Sequence, residues 1–306
     1  MTQSTLTRPE TGHVIEYELL VPAEPAAGQV VFVAGMGNHR TLWERQQEHL
    51  ARTHALLFVD NRGVSLSGSP SGLWSVQDQA DDVLFVLQNC GWAGDPVHLV
   101  GHSLGALVCY EVLRRAAPSD GVDVHSLTIL SASLSGTFPV CALRAAGLCK
   151  TLELLTSAPA YILRVSLELN YPRRWLEAPA EDGLAGTNAD AAVRFLVRVL
   201  RGRRAVPAHT WLKQALSYAT YRPSALRDVS ALGVRVLVVG GDEDLLHSVA
   251  SMRATAQRLG GRFVCLEGVG HNSFVQASGR VNRLLAEHFA GARTIGADVH
   301  SDGALL

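Results

Sequence analysis

Lysine is nearly missing from this chain. Only Lys150 and Lys213 occur among 306 residues, so arginine carries almost all of the positive charge. The arginines are scattered, and 27 basic against 28 acidic residues leave a formal net charge of −1. A nucleic-acid partner needs a basic footprint, and this balance supplies none. Cysteine is scarce as well. Cys90, Cys109, Cys141, Cys149 and Cys265 are odd in number, widely spaced and free of any C-x-x-C pair. That argues against a disulfide framework or a zinc site and for small buried core residues. No apolar stretch approaches the roughly 20 residues of a membrane span. The polar segment Met1–Gly12 lacks the basic region and apolar run of a signal peptide. The expectation is a soluble cytoplasmic protein with a small-molecule substrate and with no nucleic-acid or membrane partner; oligomeric state stays open.

What is present is an ordinary globular composition, 47% hydrophobic and 18% charged, in a length that can bury a large core. Short apolar runs alternate with helical periodicities. Strands are expected within Val30–Gly37, where a buried strand runs into a tight glycine loop, and at Ala55–Asp60, Val97–Val100, Ser126–Ser131, Val234–Val239 and Arg262–Leu266, with an edge strand at His13–Val21. Helices are expected at Thr41–Arg52, Ser75–Cys90, Leu104–Ala116, Ser248–Leu259 and Ser273–Phe289. The Ser75-x-x-Asp78 start of the second resembles a capping box. This alternation predicts an α/β fold with a mostly parallel, doubly wound sheet flanked by helices. It breaks between Leu134 and Asp228, where helical patterns at Ala142–Leu155, Ala191–Leu200 and Thr210–Tyr218 suggest a helical insertion. The expected organisation is a core of residues 13–133 and 229–290, an insertion at 134–228, and flexible termini at 1–12 and 291–306.

The most informative string is Gly101-His102-Ser103-Leu104-Gly105, a G-x-S-x-G between a strand and a helix. A turn that lifts the Ser103 hydroxyl above the sheet edge leaves no room for side chains at 101 and 105. The following helix aims its N-terminal amides at negative charge developing beside the serine. A serine nucleophile needs a base. Of twelve histidines, His271 stands after the last strand and before the last helix, at the sheet edge where ligands bind. His102 adjoins Ser103 but is expected to point elsewhere. His39, His49, His54, His98, His125, His209, His247 and His288 read as surface or structural residues, and His13 and His300 lie far from any motif. A carboxylate should orient the base, and Asp242, Glu243 and Asp244 after the fifth strand are not separable on spacing alone.

On these motifs the chain resembles the α/β-hydrolase superfamily from about Val14 to Ala290. Gly101–Gly105 looks like its nucleophile elbow and Gly270-His271 like the terminal G-H that supplies the base. Gly241-Asp242-Glu243-Asp244 is similar to its G-x-x-D, which selects Asp244 as the acid. Asp60-Asn61-Arg62-Gly63 with Ser67 resembles its D-x-R-G-x-G-x-S segment, and Ala34-Gly35-Met36-Gly37 its H-G-x loop. The resemblance implies an oxyanion hole from the amides of Met36 and Leu104, and a helical cap at 134–228 whose aromatic residues line a pocket or pack cap on core. Two departures stand out: Ala34 replaces the usual histidine, and Ser65 replaces the second glycine of the R-G-x-G segment.

The implied activity is a Ser103–His271–Asp244 serine hydrolase, needing no cofactor or metal, that cleaves a carboxylic ester or lactone of a small apolar substrate through an acyl-enzyme. A serine at the elbow disfavours epoxide hydrolase and haloalkane dehalogenase chemistry, which need a carboxylate nucleophile. Thioester or carbon–carbon bond hydrolysis, a non-hydrolytic lyase or cyclase on the same fold, and a binding protein on a hydrolase scaffold are the competing readings.

Overall fold

A computed structural model describes residues 2–92, 96–116, 122–134, 167–180, 184–201, 206–223, 229 and 232–291. Its strands are β1 (Thr2–Thr7), β2 (Val14–Leu20), β3 (Gln29–Val33), β4 (Ala55–Val59), β5 (Pro96–His102), β6 (Asp123–Leu130), β7 (Arg235–Gly241) and β8 (Arg262–Leu266). Its helices are α1 (Glu44–Leu50, preceded by a 3-10 turn at Arg40–Trp43), α2 (Val76–Asn89), α3 (Leu104–Arg115), α4 (Arg173–Glu177), α5 (Asn188–Arg201), α6 (Ala208–Thr220), α7 (Val249–Arg258), α8 (Ser273–Gln276) and α9 (Ser278–Ala290).

The strands form one eight-stranded sheet in the order β1-β2-β4-β3-β5-β6-β7-β8. β1 and β2 run antiparallel to their neighbours, and all other pairings are parallel. Successive residues of a strand face opposite sides, so a sheet covered by helices on both faces reads as continuous apolar runs. Val31, Val33, Leu99 and Ile129 pack under α2, α3 and α7, while Val30, Phe32, Val100 and Leu130 pack under α1, α8 and α9. β3 is followed by β4 on one side of it in the sheet, whereas β5 lies on its other side. The carboxyl ends of β3 and β5 therefore border a topological switch point, where such sheets open a crevice.

The expected capping box forms at the start of α2: Ser75 Oγ accepts from the Asp78 amide at 3.1 Å and Asp78 accepts from the Ser75 amide at 2.7 Å. Four readings need correction. Thr2–Thr7, expected to be flexible, pairs along its whole length with β2 through a turn closed at Gly12, whose φ is +67°. Backbone pairing drives this, since the strand's polar side chains gave no apolar signal. β2 is consequently interior and not an edge. His13, expected far from any motif, is buried with its ring Nε2 3.2 Å from Asp82. The last helix is two, parted at Ala277, whose amide closes α8 on the Ser273 carbonyl while its own carbonyl opens α9.

Between β6 and β7 the described residues contain α4, α5 and α6 and no strand beyond an isolated Pro179–Thr187 bridge. The pattern at 142–155, Tyr161 and the residues after Gly291 lie outside the described residues. Among those described, no helix is long and apolar enough to cross a membrane.

One glycine shows how closely the layers meet. A Cβ at Gly105 would be driven into the Val33 and Ala34 carbonyl oxygens, backbone atoms at the end of β3 and just after it that cannot yield as a side chain does. Gly105→Ala is expected to destabilise by about 3 kcal/mol and lower Tm by roughly 5–10 °C. Gly279→Ala, where the space is open, should stay within about 1 kcal/mol of the parent. Thermal melts of the two variants check this, and equal melts would refute the close approach.

Candidate active site

Ser103 occupies the turn between β5 and α3 with φ +52° and ψ −119°, a conformation costly for a residue with a Cβ. The turn is held from both sides: the Ser103 amide donates to the Leu130 carbonyl at 3.0 Å, and Gly101 lies against the backbone of Gly105 and Ala106. Leu104 opens α3, so its amide is among the first four that have no partner within the helix. The loop after β3 closes on the same turn, since a Cβ at Gly35 would stand 3.2 Å from the Ser103 Cβ. Met36 follows in that loop. Ser103, Leu104 and Met36 thus gather at the switch point.

His271 and the acidic loop arrive from the β7–β8 side. His271 Nδ1 lies 2.9 Å from Asp244 Oδ2, and both side chains are essentially buried. The three neighbouring carboxylates have separate partners. Asp242 accepts from the Gly268 amide at 2.7 Å, Glu243 pairs with Arg174 of α4, and only Asp244 reaches the imidazole. The other oxygen of Asp244 accepts from the amides of Leu246 (2.7 Å) and His247 (3.0 Å). Burial acts to raise the Asp244 pKa, but His271 and these neighbours outweigh it and hold the group below the usual carboxylate range.

His102 joins the two halves. It points to the His271 loop, with Nε2 3.2 Å from the His271 carbonyl oxygen and its ring 4.8 Å from that imidazole. On the other side the His247 ring stacks 5.7 Å from His271 at 22°, with Nε2 3.2 Å from the Tyr218 hydroxyl of α6. Burial pushes His102 well below the usual histidine value and His247 down to about 4. Both rings are therefore neutral at neutral pH and add no charge beside His271. The sequence reading groups His247 with surface or structural histidines; its place three residues after Asp244, which accepts from the His247 amide, is the signal that sets it beside the base.

The segment Asp60–Ser67 supports the site from below. Arg62 chelates Asp82 with bonds of 2.5 and 2.9 Å, Ser67 Oγ donates to the Asp60 carbonyl, and Asn61 Nδ2 donates to the Ala34 carbonyl at 2.8 Å. Ser65, which stands in place of a glycine in the motif, still adopts φ +53°. The backbone requirement survives the substitution, at a cost of about 1 kcal/mol.

The segment between β6 and β7 meets the site at two places. Asn170 accepts from the Asn272 amide at 3.1 Å and Tyr171 from the Asn272 side chain at 3.2 Å, beside His271. From α6, Gln214 reaches both the Gly37 amide and the Arg62 carbonyl. Of the aromatic residues described between β6 and β7, Tyr171, Tyr218 and Tyr221 are buried, whereas Trp211 is 43% exposed. Glu16, His39 and Asp60 bring three ligand-type atoms together. The Arg40 guanidinium occupies that cluster, pairing with Asp60 and, at 3.1 Å, with Glu16. Its positive charge serves the carboxylates in place of a metal ion.

A model of the alpha/beta hydrolase family matches residues 30–284. A protein of Azorhizobium caulinodans named "Putative carbamate hydrolase RutD" is 31% identical over 166 residues, covering 54% of this chain and 58% of that protein. The aligned part thus falls short of two thirds of the relative. Among solved structures, Est816, described as an N-acyl homoserine lactone degrading enzyme, superposes with a TM-score of 0.69 at 20% identity, over 93% of this chain and 99% of that one. A thermophilic esterase from Thermogutta terrifontis does so with 0.71 at 20% identity, over 94% and 97%. At such identities the two structures speak to the fold.

Proposed function

The chain belongs to the alpha/beta hydrolase family, and from that premise we propose that it is a serine hydrolase acting on a carboxylic ester or lactone of a small apolar substrate. The observation that carries this reading is the left-handed Ser103 turn meeting, across His102, a buried His271–Asp244 pair. Asp244 fixes the proton on Nδ1 and leaves Nε2 of His271 free to act as base. His271 takes the Ser103 proton as Oγ attacks the carbonyl carbon. The Met36 and Leu104 amides hold the resulting oxyanion. His271 then protonates the departing alkoxide, and water, deprotonated by His271, releases the acid from the acyl-enzyme. The insertion between β6 and β7 acts as a cap, with Trp211 as an apolar wall beside the oxyanion loop. Carbamates present the same acyl carbon, so the name of the Azorhizobium relative places them in the substrate panel beside esters, lactones and thioesters.

The test is labelling with a fluorophosphonate, which phosphonylates only an activated serine. An adduct located on Ser103 by mass spectrometry is the expected result. A folded protein that takes no label would transfer support to a lyase or to a binding protein on this scaffold.

A further inference from the structure

The loop that carries Met36 lacks the histidine expected at position 34, and the structure supplies another anchor for it. Resting on the serine hydrolase reading above, we propose that Gln214 is a positioning residue for the oxyanion loop, fixing it from α6 through the Gly37 amide.

Gln214 is fully buried. Its Oε1 accepts from the Gly37 amide at 2.7 Å and its Nε2 donates to the Arg62 carbonyl at 3.0 Å. One side chain thus ties the turn after β3 to the turn after β4. Asn61 holds the other end of the loop at the Ala34 carbonyl (2.8 Å), and the Asn38 amide closes the turn on the Gly35 carbonyl at 3.2 Å. Fixing the Gly37 N–H fixes the peptide plane after Met36, and the Asn38 contact to the Gly35 carbonyl fixes the plane before it, which carries the Met36 N–H, so the two together hold the Met36 donor. Donors aimed at a developing oxyanion act strongly only when they are held in place before reaction.

The surroundings make this a built contact. Gly37 adopts φ +67°, and a Cβ there would enter the indole of Trp211, one turn before Gln214. Thr210 packs in the same way on Gly63, so α6 is keyed to both turns. Lys213 docks the helix further out, donating to the Pro70 carbonyl at 2.7 Å and lying 4.6 Å over the Trp74 ring. Removal of the Gln214 amide would leave the Gly37 donor and the Arg62 acceptor without this partner in a half-buried place.

The experiment is the rate of Ser103 phosphonylation by a fluorophosphonate in the wild type and in Gln214→Met, Gln214→Glu and Lys213→Met, with a thermal melt of each. Gln214→Met is expected to slow labelling about 10- to 100-fold, the scale of a small misplacement of catalytic groups. Lys213→Met, which loosens α6 without touching the loop, should stay within about threefold of wild type. Gln214→Glu should recover towards wild type as pH falls, because a protonated carboxyl offers a carbonyl to Gly37 and an O–H to Arg62, whereas a carboxylate repels the Arg62 oxygen. Wild-type labelling in Gln214→Met, equal slowing in Lys213→Met, or a Gln214→Glu rate with no such pH trend would overturn the proposal. A wild-type protein without label on Ser103 would sink the hydrolase reading and this inference with it.

Discussion

Ser103→Ala is expected to abolish acyl transfer, lowering kcat by about 10⁶ while the protein stays folded. On the proposed mechanism the loss is large because nucleophile and base act as a unit, so that without Oγ neither His271 nor Asp244 would have a task in the covalent step. What survives is the binding and oxyanion contribution, roughly 10³–10⁴ over the uncatalysed reaction. The fold should tolerate the change. Alanine has the same Cβ as serine at φ +52°, and the turn is held by backbone contacts to Leu130 and Gly105. Turnover of a p-nitrophenyl ester beside a thermal melt checks both halves, and activity retained in the variant would eliminate the acyl-enzyme route.

Asp244→Asn is expected to cost about 10⁴ in kcat, the scale seen when the orienting carboxylate of a serine triad is replaced by its amide. The geometry here explains why an isosteric change is so damaging. The oxygen facing Leu246 and His247 accepts two amides, which would keep the asparagine oxygen where it is. The NH₂ group would then face His271 Nδ1 and force that nitrogen to accept, placing the proton on Nε2 where the base must be unprotonated. Asp242→Asn should change activity by less than about threefold, because asparagine can still accept from the Gly268 amide at an exposed position. Kinetics of the two variants decide the matter, and a larger loss from Asp242→Asn would mean that the wrong acid had been assigned.

The elements of this protein that depend on local pattern were legible before any coordinates. Alternating apolar runs and helical periodicities announced the α/β sheet, and the glycine spacing around Ser103 announced the turn, since only backbone without a Cβ fits against the Val33 and Ala34 carbonyls. Thr2–Thr7 went unread because its pairing with β2 is made of backbone hydrogen bonds that polar side chains do not advertise. His13 was misplaced for a related reason: its partner, Asp82, is 69 positions away.

The site divides in the same way. Ser103 and His271 stand at ends of core strands, where position along the chain already implies position at the sheet edge. The choice among Asp242, Glu243 and Asp244 needed the family pattern, and in three dimensions each has a different partner. His247, Tyr218 and Gln214 carry no motif at all. Gln214 meets Gly37 across 177 positions and Arg62 across 152. Periodicity and chain order were enough for the parallel strands of the sheet and for setting Ser103 and His271 at its edge, whereas the strand order, and with it the switch point, followed from the pairing of the strands. How Tyr218 and His102 come to flank the imidazole and how the loop bearing Met36 is held emerged in three dimensions alone, because those contacts join segments whose spacing along the chain obeys no rule.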